Sequence, residues 1–401
     1  MNQRAADRLT PELTEAAYSC FTSAHKFCRE VCPVTQVTQN ENHTPTAFNA
    51  NVQAIEAGHL TVSDVAEDYT HCTLCGACEL RCPNTLLTGD FYDFRTRTTD
   101  IVKAVRAAAV DVGAENDAWQ EWNAETRRLR NEPVADVESQ DVRGWAQGLG
   151  LEEGGETILF CDCEAAFHRR SVPRAAALLL REAGVEFGLM KVQWCCGGPA
   201  LEMGYSEIAS EFAEHNIADW LGAGARRIIT LDPHDYLMFV EDYPKLLGRD
   251  LGLEIVHITE VLDEAIADGR LKLDHPVTRV ATYHDPCRLN KRRGITEAPR
   301  RILRAVPGLE FRDLDRVSQW FLCSGGGGGL AIAHPEITAE LSRRRLDQAA
   351  AMEVDTLVSA CVWSERPMSA AGEALTSQID VLDLTEIVAD ACGLDYRPIG
   401  R

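Results

Sequence analysis

Apolar residues follow two different rhythms along the chain. In the first third they recur at helical spacing, through Ala54 to Asp68, through Ile101 to Val110, and through an Arg-rich, Trp-containing stretch ending at Arg130. Positions three and four apart on one face predict helices there. Asn40 to Asn51 is polar and carries a proline, which predicts a loop. Phe91, Tyr92 and Phe94 add an aromatic group to the helical region, read as packing. From Asn131 to Glu156 the composition turns to Pro, Gly, Ser and acids, the mark of an interdomain linker.

Beyond residue 157 the rhythm changes to short solid runs, each followed by a helical stretch. Thr157-Ile158-Leu159-Phe160, Arg227-Ile228-Ile229-Thr230, Arg279-Val280-Ala281-Thr282-Tyr283 and Thr356-Leu357-Val358-Ser359 read as buried strands of parallel sheets. These elements form an internal repeat. In the first copy 32 residues separate Cys163 from Cys195, and in the second 36 separate Cys287 from Cys323. Glycines follow in both, as Cys195-Cys196-Gly197-Gly198 and as Cys323-Ser324-Gly325 through Gly329. The later strands lead to Asp232-Pro233-His234-Asp235 and to Cys361-Val362-Trp363-Ser364. The overlay sets Cys196 opposite Ser324, Asp232 opposite Cys361, and Asp235 opposite Ser364. Special residues thus gather at strand C-terminal ends, where parallel sheets bind ligands. The glycines are expected to let the backbone approach a bound anionic group and offer it N–H donors. Gly325 to Gly329 lacks the spacing of a dinucleotide fingerprint or a P-loop.

Length and composition sharpen this picture. The chain has 401 residues, 45% hydrophobic and 25% charged, enough for two or three domains with sizeable cores. A net charge of -22 excludes the basic face that nucleic acid requires. No apolar run is long enough to span a bilayer and the N-terminus lacks a signal-peptide core, so a cytoplasmic protein is expected. Fifteen cysteines in such a compartment read as metal ligands rather than disulfides.

Cys72-x2-Cys75-x2-Cys78-x3-Cys82-Pro83 is the run with which bacterial-type ferredoxins hold [4Fe–4S] clusters. Its last cysteine serves a neighbouring cluster, so a partner run must exist. Cys28-x3-Cys32-Pro33 has that ending. One cluster is then expected on Cys72, Cys75, Cys78 and Cys32, and the other on Cys20, Cys28 and Cys82. For the second, His25 is the candidate fourth ligand, the alternatives being an open iron site or a surface histidine beside it. Further candidates for metal are Cys163, Cys195, Cys196, Cys287, Cys323 and Cys361. They could share one cluster across a pseudo-twofold, hold an incomplete cluster in each copy, or be core thiols of a cluster-free scaffold. His284 and Asp285 are read as shaping the turn before Cys287, His234 as a metal or relay group or a solvated histidine, and Arg288, Lys291, Arg292 and Arg293 as a basic patch.

On Cys72 to Pro83, Cys195-Cys196-Gly197-Gly198-Pro199-Ala200 and His284-Asp285-Pro286-Cys287, the whole chain resembles the D-subunit family of heterodisulfide reductase. That family carries two ferredoxin clusters followed by two cysteine-rich CCG domains, and similar iron–sulfur proteins serve lactate and glycolate oxidation and dehydrogenation linked to electron-transferring flavoprotein. The resemblance implies an α+β multidomain protein: a mostly helical ferredoxin-type 2[4Fe–4S] domain over 1–135, a linker over 131–156, and two pseudo-twofold-related α/β CCG lobes with parallel sheets over 157–270 and 278–401. It implies an iron–sulfur electron-transfer subunit, with two [4Fe–4S] clusters and room for a further cluster in the lobes. The expected partners are a flavin-containing dehydrogenase or electron-transferring flavoprotein, and a membrane or quinone-linked subunit through which the protein would sit at the membrane periphery. The competing readings are a catalyst of disulfide reduction or hydroxy-acid oxidation at the CCG face, and a non-enzymatic redox-sensing scaffold. In the true reductases each CCG domain has five cysteines; Asp232, Asp235, Ser324 and Ser364 depart from that.

Overall fold

The computed structural model describes residues 3–23, 25–83, 97–133, 142–314, 323–375 and 378–398. Phe91, Tyr92 and Phe94 lie outside that set, as does part of the 131–156 segment.

The N-terminal region is helical, and its helices start where capping chemistry allows. Thr44 accepts a hydrogen bond from the Ala47 N–H and is followed by Pro45, so a helix runs over Pro45–Glu56. The expected loop over 40–51 is therefore mostly helix. A second cap, Thr61 with Asp64 in a reciprocal capping box, opens Val62–Tyr69, which breaks the expected single helix at a turn. Helices Thr98–Val112 and Asp117–Leu129 complete the region. Phe48, Val52, Val65, Tyr69, Ile101, Val102 and Val105 close its core.

The rest of the chain forms two all-parallel sheets. The first has the order β1-β3-β2-β4-β5, with β1 Glu152–Glu153, β2 Thr157–Phe160, β3 Gly188–Leu189, β4 Arg227–Thr230 and β5 Glu254–His257. The second has the order β7-β6-β8-β9, with β6 Arg279–Tyr283, β7 Leu309–Phe311, β8 Thr356–Ser359 and β9 Asp380–Asp383. Setting β1 aside, the two orders are the same, so the internal repeat is a repeat of topology.

The lobes share one core. Helix Ser171–Glu182 of the first lobe packs on Leu384–Ala391 of the second, and Ile258–Ala267 of the first on Glu297–Ala305 of the second. These two contacts are equivalent under a pseudo-twofold, and Leu179, Leu262, Ile302 and Ile387 lie buried between the sheets. In each lobe the chain leaves the first strand towards opposite neighbours, between β2 and β4 and between β6 and β8. The crevice at that switch point is where such sheets receive ligands, and the cysteines emerge there.

Candidate metal centres

Two sets of candidate ligands meet in the N-terminal region. Cys32 ends the short helix Cys28–Val31, and Cys72 and Cys75 lie on the loop that leads into Ala77–Leu80, which carries Cys78. Leu74 and Gly76 both adopt positive φ, which curls the loop and lets the Leu74 N–H reach Cys72 Sγ at 3.4 Å. Cys32, Cys72, Cys75 and Cys78 wall one internal cavity together with Pro45, Phe48 and Thr98. Burial pushes Cys32 up to about 11 and Cys72 up to about 12, and lifts Cys78 well above the usual thiol range, where Glu79 and the neighbouring thiols add to it. Four cysteines around one cavity, with Cys32, Cys72 and Cys78 held above the usual thiol range, fit a cationic iron–sulfur group that deprotonates its ligands.

Cys20, at the end of helix Pro11–Thr22, faces Cys28 and Cys82; burial and these two thiols push it up to about 12. His25 Nε2 stands 3.9 Å from Cys82 Sγ, while its Nδ1 is buried with no hydrogen-bond partner among the described residues. The structure thus brings all four expected groups together, and the orphaned imidazole nitrogen fits a metal-directed histidine. Cys78 lies close enough to Cys28 for their charges to interact, so the two sets are neighbours.

In the first CCG lobe Cys163 and Cys195 have their sulfurs 3.9 Å apart, and Asp235 lies close enough to Cys196 to act on its thiol. Gly197 and Gly198 direct N–H groups at Cys195 Sγ and Cys196 Sγ, at 3.4 and 3.3 Å. The hydrogen bond with Cys195, then burial, raises Cys163 well above the usual thiol value. Burial, then Asp162 and Asp232, does the same to the Asp235 carboxyl, whose Oδ2 is buried and unpartnered among the described residues. Three thiols and an orphaned carboxylate oxygen therefore face one another in an acidic setting, a donor set that fits a bound cation.

The second lobe repeats the register with different chemistry. Ser324 and Ser364, equivalent to Cys196 and Asp235, hydrogen-bond to each other at 2.9 Å, and Ser364 Oγ donates to Cys361 Sγ at 3.4 Å. Cys323 packs with Cys287 against Cys75 and Val31, so this lobe touches the ferredoxin-type ligands directly. Cys361 shares a buried cluster with Asp232 and His234, which join the lobes where the Val362 N–H donates to Asp232 Oδ2 at 3.0 Å.

Several expectations change here. His234 is buried and bonded to Asp232, not solvated. His284 accepts from Arg345 Nε at 2.8 Å and Asp285 pairs with both terminal nitrogens of Arg300 at 2.8 Å, so they anchor the turn before Cys287. Arg288, Lys291 and Arg292 are not a surface patch: Arg288 pairs with Glu202, and Arg292 with Glu79 and Glu241. The glycines do offer N–H groups, with Gly325 N–H 3.5 Å from Cys323 Sγ. Their tightest contacts are with protein backbone, however. A Cβ on Gly328 would lie 2.5 Å from the Cys72 carbonyl oxygen, and one on Gly326 would collide with the Trp363 carbonyl.

Sequence reasoning missed Arg106 and Glu202. Arg106, buried in helix Thr98–Val112, donates to the carbonyls of Tyr69, Cys72, Glu202 and Gly328 at 2.7 to 2.9 Å, tying all three parts of the molecule to the Cys72 loop. Its signal in the sequence was a cation inside an apolar helical stretch. Glu202 pairs with Arg288 and accepts from the Gly328 N–H at 2.9 Å.

A helical, cysteine-bearing domain followed by two pseudo-twofold parallel lobes with cysteines at their switch points defines an iron–sulfur redox protein. Residues 16–86 match the 4Fe-4S dicluster domain family, and 158–239 and 281–363 match the cysteine-rich domain family called CCG. The chain is similar to the D subunit of the dihydromethanophenazine:CoB–CoM heterodisulfide reductase of Methanosarcina barkeri, 28% identical over 83% of this chain and 80% of that one. The B subunit of the fumarate reductase (CoM/CoB) of Methanothermobacter marburgensis is 30% identical over 75% of this chain and 57% of its own length. The EtfAB:quinone oxidoreductase of Syntrophomonas wolfei is 32% identical over 47% of this chain and 27% of its own length. A crystal structure of a hypothetical protein from Helicobacter pylori shares the fold, with a TM-score of 0.52 at 10% identity over 98% of this chain and 77% of that one. The chain thus combines a 4Fe-4S dicluster domain with two CCG domains and is similar over most of its length to the D subunits of heterodisulfide reductase.

Proposed function

We propose that the chain is the electron-relaying iron–sulfur subunit of an oxidoreductase complex. The observation that carries this is the close succession of two candidate ligand sets, Cys20, His25, Cys28 and Cys82, then Cys32, Cys72, Cys75 and Cys78, with the second lobe packed directly against Cys75. Iron–sulfur groups on these residues supply one-electron redox chemistry, and the protein sets their spacing, burial and potential. Electrons enter at the Cys20 and His25 set, which is flanked by exposed Tyr18, Phe21 and Phe27, an apolar rim suited to a protein partner. That partner is a flavin-containing dehydrogenase or an electron-transferring flavoprotein. The acceptor is quinone-linked or disulfide-linked and lies beyond the lobes. Among the described residues no helix is long and apolar enough to cross a membrane, and a membrane or quinone-linked partner subunit is the proposed link to the bilayer.

The residues around the ligands have defined work. Arg106 fixes the carbonyl of Cys72, and Phe48 and Val31 exclude water from the inner set. An imidazole in place of a thiolate at His25 raises the potential of the outer set, since a neutral ligand replaces an anion. The test is a potentiometric titration of the anaerobic protein followed by paramagnetic resonance. Two signals are expected, the outer one shifting to lower potential in His25→Cys. An unchanged potential in that variant refutes the assignment of His25.

A further inference from the structure

The two lobes treat their cysteines in opposite ways. In the first, the charges acting most strongly on Cys163 and Asp235 are acidic or thiol groups, and a cation has to come from outside the chain. In the second, the chain supplies the positive charge itself. Arg288 Nη1 lies 3.5 Å from Cys287 Sγ, Lys291 and His234 also face that sulfur, and Arg288 and Lys291 are both buried. The two positions that would complete a thiol set are hydroxyls, Ser324 donating to Ser364 and Ser364 to Cys361 Sγ. This lobe therefore does not fit a four-thiolate cluster. What it holds instead is a pair of cysteines in one small cluster: Cys287 packs against the group formed by Cys323, Cys75, Val31 and Ala77.

We propose that Cys287 and Cys323 form a redox-active dithiol–disulfide couple that stores two electrons beside the inner iron–sulfur site. The inference rests on the reading that Cys32, Cys72, Cys75 and Cys78 hold a one-electron centre. Reduction breaks the Cys287–Cys323 sulfur–sulfur bond, takes up two electrons and two protons, and leaves two thiols. The electrons arrive singly through the Cys75 contact, from a centre reduced twice by a reduced flavoprotein or, in the test, by dithionite. Oxidation runs the same steps backwards, forming the bond and releasing two protons. Cys287 is the partly buried residue of the pair and Cys323 the buried one. Arg288 and Lys291 stabilise the negative charge that appears on sulfur as each electron arrives. The couple thereby turns a one-electron wire into a two-electron store, which is what a hydride-level or thiol-level acceptor requires.

The test uses the anaerobic holoprotein, oxidised with a mild dye in one sample and reduced with dithionite in the other. Both are quenched in acid, alkylated with N-ethylmaleimide, and mapped by peptide mass. The oxidised sample is expected to contain the Cys287 peptide joined to the Cys323 peptide, and the reduced sample the same peptides fully alkylated. Full alkylation of both cysteines in the oxidised sample overturns the proposal, as does a link from Cys163 to Cys195 in its place. Bound iron gives a second readout: Cys287→Ser should keep the wild-type iron content, and a loss as large as that in Cys75→Ser overturns the couple by making Cys287 a ligand. If dithionite produces no paramagnetic signal in the wild type, the electron-relay reading fails; a normal signal with an alkylated pair removes this inference alone.

Discussion

Replacing Arg106 with methionine is the sharpest structural perturbation the molecule offers. Five N–H···O bonds run from this one guanidinium to four main-chain carbonyls, and Trp119 stacks over it at 4.7 Å. Hydrogen bonds from a charged donor contribute roughly 1.5 kcal/mol each at the lower end of their range, so the five sum to about 7 kcal/mol. Against this, burial holds the guanidinium down at about 10, from an ordinary 12.5, with Cys72 and Glu202 opposing the fall. Removing the charge releases that desolvation, about 3 kcal/mol at the usual conversion. Arg106→Met should therefore destabilise by about 4 kcal/mol, at the top of what one substitution does. Arg106→Lys should lose nearly as much, because a single ammonium cannot span carbonyls that belong to three segments. The assay is the urea midpoint by tryptophan fluorescence, read beside iron retention. A shift worth less than about 1 kcal/mol, or a fully stable lysine variant, would refute the tie between the Cys72 loop and the lobes.

Other outcomes follow from the same geometry. Gly328→Ala puts a Cβ 2.5 Å from the Cys72 carbonyl at a φ of +70°, and should cost about 2–4 kcal/mol, seen as a lower melting temperature; an unchanged one contradicts the close approach. His43 stacks on His71 at 3.6 Å, and burial, with His71 and His334 adding to it, holds its pKa down to about 4 from 6.5. A depressed histidine gives stability that is complete above 6.5 and is lost as the pH falls towards 4, so the urea midpoint should drop between about pH 6.5 and about pH 4, and His43→Gln should flatten that drop. The double change Ser324→Cys and Ser364→Cys should raise bound iron, since it restores sulfur at both positions; unchanged iron would count against the register of the repeat.

How much of this was legible depended on whether the partners were local. The cysteine sets could be proposed because ligand spacing within a loop is a local property, and the lobes could be read because a buried parallel strand leaves a solid apolar run such as Thr157 to Phe160. Ser324 and Ser364 fell opposite Cys196 and Asp235 in the overlay; the serines hydrogen-bond to each other, and Asp235 lies near Cys196. The helix over Pro45–Glu56 was missed because its polar residues outweighed the Thr44 cap and the proline behind it. Arg288 to Arg293 looked like a surface patch because the acids that neutralise it, Glu79, Glu202 and Glu241, stand far away in sequence. Arg106 was harder still: it is held by main-chain carbonyls, which leave no mark in a sequence.

Metal content tests the central claim most directly. Protein purified without oxygen should carry at least about eight iron atoms and a matching amount of acid-labile sulfide per chain, from the two N-terminal sets alone. It should be brown and give paramagnetic signals after dithionite, with Cys78→Ser losing about four of those atoms. A colourless chain with no such signal would contradict the account.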